Sequence, residues 1–511
     1  MPARFPIVVL ATAAALVASA APAHAAAKSP GHFPETLPAL HAAPDPDDRG
    51  RIVDARGREV LLRGVNVNVL ADLWQGTRLP TVQPFTPKDL ALLRGAGWNL
   101  VRLQLSWSRI EPQPGQYDDA YLAEAERYVE TFKAAGMYTI LDLHQDAWGA
   151  SLAARPGEWC PAAFTPAVGW DGAPAWATLA PDDAPRCYAL GAKEINAAVD
   201  SAWNAFWHDA PGPDSFGIRT RYASMLGHVA RRLSRNDAVA GYDVINEPAA
   251  FTPETQAALG DLYGAALREI RAGERLAGAP PRLFLFQPDA RAAAVGHGVP
   301  RDFPRDRDVV YAPHVYSANR PLVRAAFQVA RTEARTFGGA PVLIGEWGTD
   351  PDEKASYFSQ HQDLQDTFGM SSALWAWSEG CGSPRRISAL LAGQAPKVWG
   401  LLDVDCVTGK RIGPRKALVR RLTRAYVRAA PGRLHGQRYV AKTGRFSAVG
   451  SAPDDNDQTV LVFYPGAKHP NARFRATGLA KLRAVRTPGE GRFVVGVPRG
   501  PWTLEIGPRV G

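Results

Sequence analysis

Two glutamates in this 511-residue sequence stand where proton transfer and nucleophilic attack could be carried out. Glu247 closes the run Gly241-Tyr242-Asp243-Val244-Ile245-Asn246-Glu247-Pro248, and Glu346 lies near the end of Pro341-Val342-Leu343-Ile344-Gly345-Glu346-Trp347. Each run is short, apolar and bounded by turn signals, the pattern of a buried parallel strand. Pro248 has no N–H for a sheet ladder and biases Glu247 toward an extended backbone. Two carboxyl groups brought together suit cleavage of a glycosidic bond. One protonates the departing oxygen while the other attacks or stabilises an oxocarbenium-like centre. A single strand-end glutamate could equally cap the next helix, so the reading depends on the elements that carry the pair.

Those elements alternate. Strands are expected at Leu61–Asn66, Leu100–Leu105, Tyr138–Leu143, Ala240–Asn246, Leu283–Gln287, Val309–His314, Val342–Glu346 and Ser372–Trp377, with helical periodicity between most of them. Eight such repeats predict an α/β fold, a closed (β/α)8 TIM barrel. The rival open sheet lacks a glycine-rich phosphate loop after its first strand. Barrel chemistry is built from the C-terminal ends of several strands. There the sequence places Arg102, His144, Asp146, Asn246, Glu247, His314, Tyr316, Glu346, Trp375 and Trp377. Asp142 alternates with Leu141 and Leu143 and is expected to point away from the site, as is Asp243.

Residues 1–25 read as a secretory signal peptide, with Arg4 before the apolar stretch Ile7–Ala20 and Ala23-His24-Ala25 at the cleavage point. The apolar stretch is shorter than the ~20 residues of a membrane span, so export is expected. Residues 26–49 read as a flexible lead-in, 50–428 as the barrel, and 430–511, with short β-like runs between Gly, Pro and Asp, as a C-terminal all-β sandwich. Four cysteines in an exported chain favour disulfides, with Cys160 to Cys187 and Cys381 to Cys406 the local pairing. No CxxC occurs and no histidine lies at ligand spacing from the cysteines, so neither a metal nor another cofactor is expected. The net charge of +9 comes without a basic run interleaved with aromatics, which argues against nucleic acid as a partner. A monomer is expected.

Between the third and fourth strands a long insertion carries Trp148, Trp159, Trp170, Trp176, Trp203 and Trp207. These form either the loop's own core or an exposed apolar patch near Trp148–Trp176 for a lipid aglycone. The second arrangement would allow peripheral contact with lipid surfaces.

Gly64-Val65-Asn66, Val101-Arg102-Leu103, Leu143-His144-Gln145-Asp146, Ile245-Asn246-Glu247-Pro248, His314-Val315-Tyr316 and Ile344-Gly345-Glu346-Trp347, in that order, resemble glycoside hydrolase family 5, the cellulase-like retaining family. Trp107-Ser108-Arg109-Ile110-Glu111-Pro112, with Gly115, Tyr117 and Asp142 to Asp146, look like its endoglycoceramidase branch. The resemblance implies Glu247 as acid/base and Glu346 as nucleophile. Arg102 would favour the ionised form of Glu346, and Asn246 would bond the sugar 2-hydroxyl. His314 and Tyr316 would hold Glu346 and the sugar ring, and His144 and Asp146 would bind sugar hydroxyls. Trp377 is preferred over Trp375 as the platform under the sugar next to the cleaved bond, and Glu379 and Cys381 would line the aglycone side. The implied partner is a glycolipid or β-glucoside substrate, cleaved between glycan and ceramide. The alternatives are a β-glucanase or cellulase, a β-glucosidase on glucosylceramide or steryl glucosides, and a non-catalytic carbohydrate-binding barrel.

Overall fold

The computed structural model describes residues 37–71, 82–161, 164–189, 196–290, 303, 306–317, 319–349, 355–379, 399–466, 471–486 and 491–508. Three short strands come first: β1 (Leu40–Ala43), β2 (Arg51–Asp54) and β3 (Arg58–Val60). The barrel opens with β4 (Arg63–Val67), β5 (Leu100–Leu105) and β6 (Tyr138–Leu143). The long insertion then forms a hairpin of β7 (Phe164–Pro166) and β8 (Cys187–Ala189). The barrel resumes with β9 (Val239–Asp243), β10 (Leu283–Phe286), β11 (Val309–Tyr311), β12 (His314–Val315), β13 (Leu343–Trp347) and β14 (Ser371–Leu374).

The parallel strands are ordered β11-β10-β9-β6-β5-β4-β14-β13-β12, so the two ends of the order are two pieces of one strand. Pro313, between them, cannot donate to a ladder. The chain therefore pairs with β10 before it and with β13 after it, and a bridge between Tyr311 and Val342 seals the ring. The eight expected strands are thus present as a (β/α)8 barrel. On β5, Val101, Leu103 and Leu105 join Leu122 and Val129 of the helix Asp119–Ala134 in the layer outside the barrel, which leaves Arg102 facing inward. That helix starts where the Asp118 carboxylate accepts the N–H groups of Ala120 and Tyr121.

After the barrel come a hairpin of β15 (Leu402–Val404) and β16 (Arg411–Pro414), then β17 (Tyr426–Pro431), β18 (Arg433–Val440), β19 (Arg445–Ala452), β20 (Val460–Tyr464), β21 (Arg473–Arg486) and β22 (Arg492–Gly507). The last six form the expected β-sandwich domain. Its sheet also takes in β1, β2 and β3, through antiparallel pairing of Ala429 with Val60. The lead-in expected to be flexible is therefore ordered from residue 37 onward, and the hairpin before the barrel belongs to the C-terminal sheet. The expected leader, residues 1–25, lies outside the described residues.

The β-domain seals the floor of the barrel. Leu100, Ile140, Ala240, Leu285, Val310 and Leu343 share one core with Val427, Phe463 and Val494. Tyr426 Oη donates to the Gly97 carbonyl at 2.8 Å and Arg428 Nη2 to the Gly136 carbonyl at 2.9 Å, both just ahead of barrel strands. The opposite, carboxyl rim is left free for the site.

Candidate active site

Arg102 is the hub of that rim. It has no solvent exposure, and each of its five N–H groups has an acceptor. Nε donates to Asp243 Oδ2 at 2.9 Å, Nη1 to Asn66 Oδ1 and Glu346 Oε1 at 2.8 Å each, and Nη2 to Asp142 Oδ1 at 2.7 Å and Asn246 Oδ1 at 3.0 Å. Burial works against its charge, but Asp142, Asp243 and Glu346 more than offset that and raise its pKa. Asp243 is also raised, first by burial and then by the Asp142 charge, against the pull of Arg102. The saturated guanidinium geometry establishes the pair, and the upward shift of Asp243 comes first from its burial and then from the neighbouring Asp142 charge. Asp142 and Asp243 thus face the barrel interior and not away from the site. Alternation with Leu141 and Leu143 does not fix which of the two faces is the inner one. In a closed barrel both faces are dry, and a buried carboxylate turns to the side that holds its cation.

Glu346 is clamped at both oxygens, Oε1 by Arg102 and Oε2 by the Tyr316 hydroxyl at 2.7 Å. Across from it, Glu247 Oε1 lies 2.9 Å from His314 Nδ1, which is itself 3.6 Å from Glu346 Oε2. One oxygen of each glutamate and a nitrogen of His314 fall within 4.8 Å of one another. Two carboxylates and an imidazole would also suit a divalent cation by donor type, but His314 Nδ1 is hydrogen-bonded to Glu247 Oε1. Burial lowers the His314 pKa, but Glu346 and the hydrogen bond to Glu247 raise it further, for a net rise. Gly345 makes room for this ring, because a Cβ there would lie 2.9 Å from His314 Nε2.

Glu247 departs from the extended backbone that Pro248 favours, with φ of +39° in the left-handed region. Two glutamines hold the turn. Gln287, just beyond β10, accepts the Glu247 N–H at 3.0 Å and donates to both Asp243 oxygens at 3.0 Å. Gln145 donates to the carbonyls of Asn246 at 2.7 Å and Glu247 at 3.2 Å. Asn246 Nδ2 in turn donates to the Gln145 carbonyl at 3.2 Å. Neither glutamine was picked out as a site residue from sequence. A polar side chain directly after a buried apolar strand was the available signal.

His144 Nδ1 lies 2.8 Å from Asp142 Oδ2, and its Nε2 lies 3.9 Å from Asp146 Oδ2. Burial opposes protonation, but Asp142 and then Asp146 push its pKa up to about 10. The imidazole stacks on Trp375, with ring centres 5.4 Å apart and planes 20° from parallel. The expected platform, Trp377, is completely buried with its ring 5.2 Å from Phe85, away from this cluster. The chain leaves the sheet after Leu374, so residues 375 and 377 no longer share a face. Trp375, rather than Trp377, is the tryptophan in contact with His144. Glu379 is buried and accepts the Trp399 N–H at 2.9 Å, and Cys381 lies outside the described residues, as therefore does its pairing with Cys406.

The insertion rests on this rim with Cys160 and Cys187 joined as expected. Most of its tryptophans form its own core. Trp148 packs on Trp203 at 4.8 Å, Trp203 on Trp207 at 5.2 Å, and Trp176 on Trp107 at 5.3 Å, while Trp170 is buried against Tyr188. Within the expected patch, Trp159 at 78% and Phe164 at 46% are the large exposed apolar residues among those described.

A parallel barrel with two glutamates this close across its carboxyl rim defines a (β/α)8 protein of the glycosidase type. The chain matches the family model Cellulase (glycosyl hydrolase family 5) over residues 53–380. It belongs to that family, in the endoglycoceramidase-like branch. It is similar to the crystal structure of an endogalactoceramidase, with a TM-score of 0.79 and 34% identity, covering 92% of this chain and 99% of that one. Endoglycoceramidase I of Rhodococcus hoagii (strain 103S) is 32% identical over 211 residues, which is 39% of this chain and 36% of the relative. Endo-glycoceramidase II from Rhodococcus sp., in its ganglioside GM3 complex, has a TM-score of 0.71 at 23% identity over 92% of this chain and all of that one, a likeness of fold alone.

Proposed function

We propose that the protein is a retaining β-glycosidase that cleaves between the glycan and the apolar aglycone of a glycolipid, with Glu247 as acid/base and Glu346 as nucleophile. The observation that carries this is the spacing of the glutamates, whose oxygens come within 4.8 Å. Retaining pairs stand ~5–5.5 Å apart, while inverting pairs need ~6.5–9.5 Å to admit a water. A Glu346 oxygen attacks the anomeric carbon, the bond to the aglycone oxygen breaks, and Glu247 passes its proton to that oxygen. Glu247 then takes a proton from water, which displaces Glu346 from the sugar. Arg102 and Tyr316 hold Glu346 for attack, His314 sits between the carboxyls, and Trp375 with His144 offers the sugar a stacked edge. Asn246 and Asp146 complete the sugar-binding side. The leader-like residues 1–25 support an exported enzyme.

The name of the 34% identical relative supports a ceramide-linked substrate. Burial of Trp148 and Trp170 favours a second reading, a β-glucanase, because it leaves little exposed apolar surface for a lipid. A panel of lactosylceramide, glucosylceramide, a steryl glucoside and a β-glucan separates the two. Intact lactose from lactosylceramide is expected, first appearing as the β-anomer by NMR. Reducing sugar from the glucan alone would overturn the glycolipid reading. Glu346→Ala should lose activity by about a thousandfold or more with an unchanged melting temperature.

A further inference from the structure

Asp243 ends β9 four residues before Glu247, and it is joined to the supports of both glutamates. Its Oδ2 accepts Arg102 Nε at 2.9 Å, and the same guanidinium holds Glu346 through Nη1 at 2.8 Å. Both its oxygens accept Gln287 Nε2 at 3.0 Å, and the Oε1 of that amide accepts the Glu247 N–H at 3.0 Å. The amide of Gln287 can point only one way. Its NH2 needs the carboxylate, which leaves its oxygen to hold Glu247 in its left-handed turn. Asp243 itself is completely buried.

We propose that Asp243 is a positioning residue that couples the two carboxylates, fixing Glu346 through Arg102 and the backbone of Glu247 through Gln287. The proposal rests on the glycosidase reading above and goes beyond it. One buried charge sets both ends of the reaction: it shares the field of Arg102 with Glu346, and it decides which face of Gln287 meets Glu247. The charged and titratable groups around it are Arg102 on β5, Asp142 on β6, His314 on β12 and Glu346 on β13. Tyr222 and Tyr263 face it from the helices behind. Removing its negative charge makes every nearby site bind a proton less readily.

Asp243→Asn keeps the shape of the side chain and an acceptor for Arg102 while deleting the charge. Gln287→Met keeps the charge and cuts the link to Glu247. In the unliganded full chain, the NMR titration midpoint of His314, assigned by its loss in His314→Gln, should fall by roughly one pH unit in Asp243→Asn. With an aryl β-glycoside, both limbs of the kcat/KM profile should move to lower pH in that variant. kcat should drop roughly tenfold or more with little change in KM. Gln287→Met should lower kcat to a similar extent while the His314 midpoint and both limbs stay in place. The proposal is overturned if Asp243→Asn leaves both the midpoint and the limbs unmoved, or if Gln287→Met keeps full kcat. Should the wild type hydrolyse no glycoside while the His314 midpoint still falls in Asp243→Asn, the glycosidase reading fails and the coupling through Asp243 stands.

Discussion

Arg102 does what a lysine could not, because only a planar fork with five N–H groups can meet acceptors on Asn66, Asp142, Asp243, Asn246 and Glu346 at once. Two buried histidines, His144 and His361, are shifted in opposite directions, and each adds its own pH dependence to stability. His144 is pushed up to about 10, burial notwithstanding, by Asp142 and Asp146. The native state therefore keeps a proton that the unfolded chain gives up above its ordinary value of 6.5, and stability falls as pH rises from 6.5 toward 10. His361 is pulled down to about 4 by burial against Trp347, with its Nε2 on the Ser317 carbonyl at 3.2 Å. Here the unfolded chain binds the extra proton, so stability falls as pH drops from 6.5 toward 4. Calorimetry should find that His144 contributes a decline in melting temperature above pH 6.5 and His361 a decline below it. His144→Gln should flatten the alkaline side and His361→Phe the acid side, and a decline unchanged in both variants would contradict these assignments. Asn246, His314 and Tyr316 were legible in the sequence because each stands at or just beyond a strand end where a barrel puts its chemistry, and Arg102 because it is a charge inside an apolar strand. Asp142 and Asp243 were not, because alternation cannot tell which of two dry faces is the inner one.

The strands were legible as elements because each is a compact apolar run between turn signals, and all eight are present, although the fourth ends at Asp243, the eighth at Leu374 and the sixth is split in two. Pairing between segments distant in sequence was not legible. Nothing local marks β3 as a partner of β17, which lies some 370 residues further along the chain. The insertion shows the same limit, since its tryptophans fit a patch or a core equally well until Trp107 and Tyr222 are seen to complete the core. On β13 the design is local again. Gly345 precedes Glu346, and its carbonyl accepts Asn66 Nδ2 at 3.1 Å. An alanine Cβ there would press on His314 Nε2 at 2.9 Å and Cδ2 at 3.1 Å. The ring can yield only by moving its Nδ1 off Glu247. Gly345→Ala is expected to lower kcat/KM by roughly 10- to 100-fold while shifting the melting temperature by only a few degrees. Full activity in that variant would mean that the ring is not fixed between the two glutamates.

At the scale of the whole molecule, barrel and β-domain behave as one body because the barrel has no floor of its own. Leu100, Ile140, Ala240, Leu285 and Leu343 at the base of the strands are covered by Val427, Phe463 and Val494, and β1 to β3 complete the covering sheet from the other end of the chain. Charge follows the same division: residues 426–511 hold 14 Lys and Arg against 5 Asp and Glu, which accounts for the whole net charge of +9. The remainder of the chain carries no net charge. Arg428 ties the two bodies together, donating to the Gly136 carbonyl at 2.9 Å with its guanidinium 5.3 Å from the Phe493 ring centre. It is fully buried, and burial lowers its pKa, so its charge is tolerated there only through those contacts. Arg428→Ala removes the hydrogen bond, the ring contact and the packed stem, at a cost of about 3 kcal/mol. For a shared core, calorimetry should show a single transition in the wild type and a single transition, several degrees lower, in Arg428→Ala. Removal of residues 426–511 should yield a barrel that binds a hydrophobic dye through its uncovered base and aggregates on warming. Two separate transitions in the wild type would show that the barrel closes its floor without the β-domain, contrary to this account.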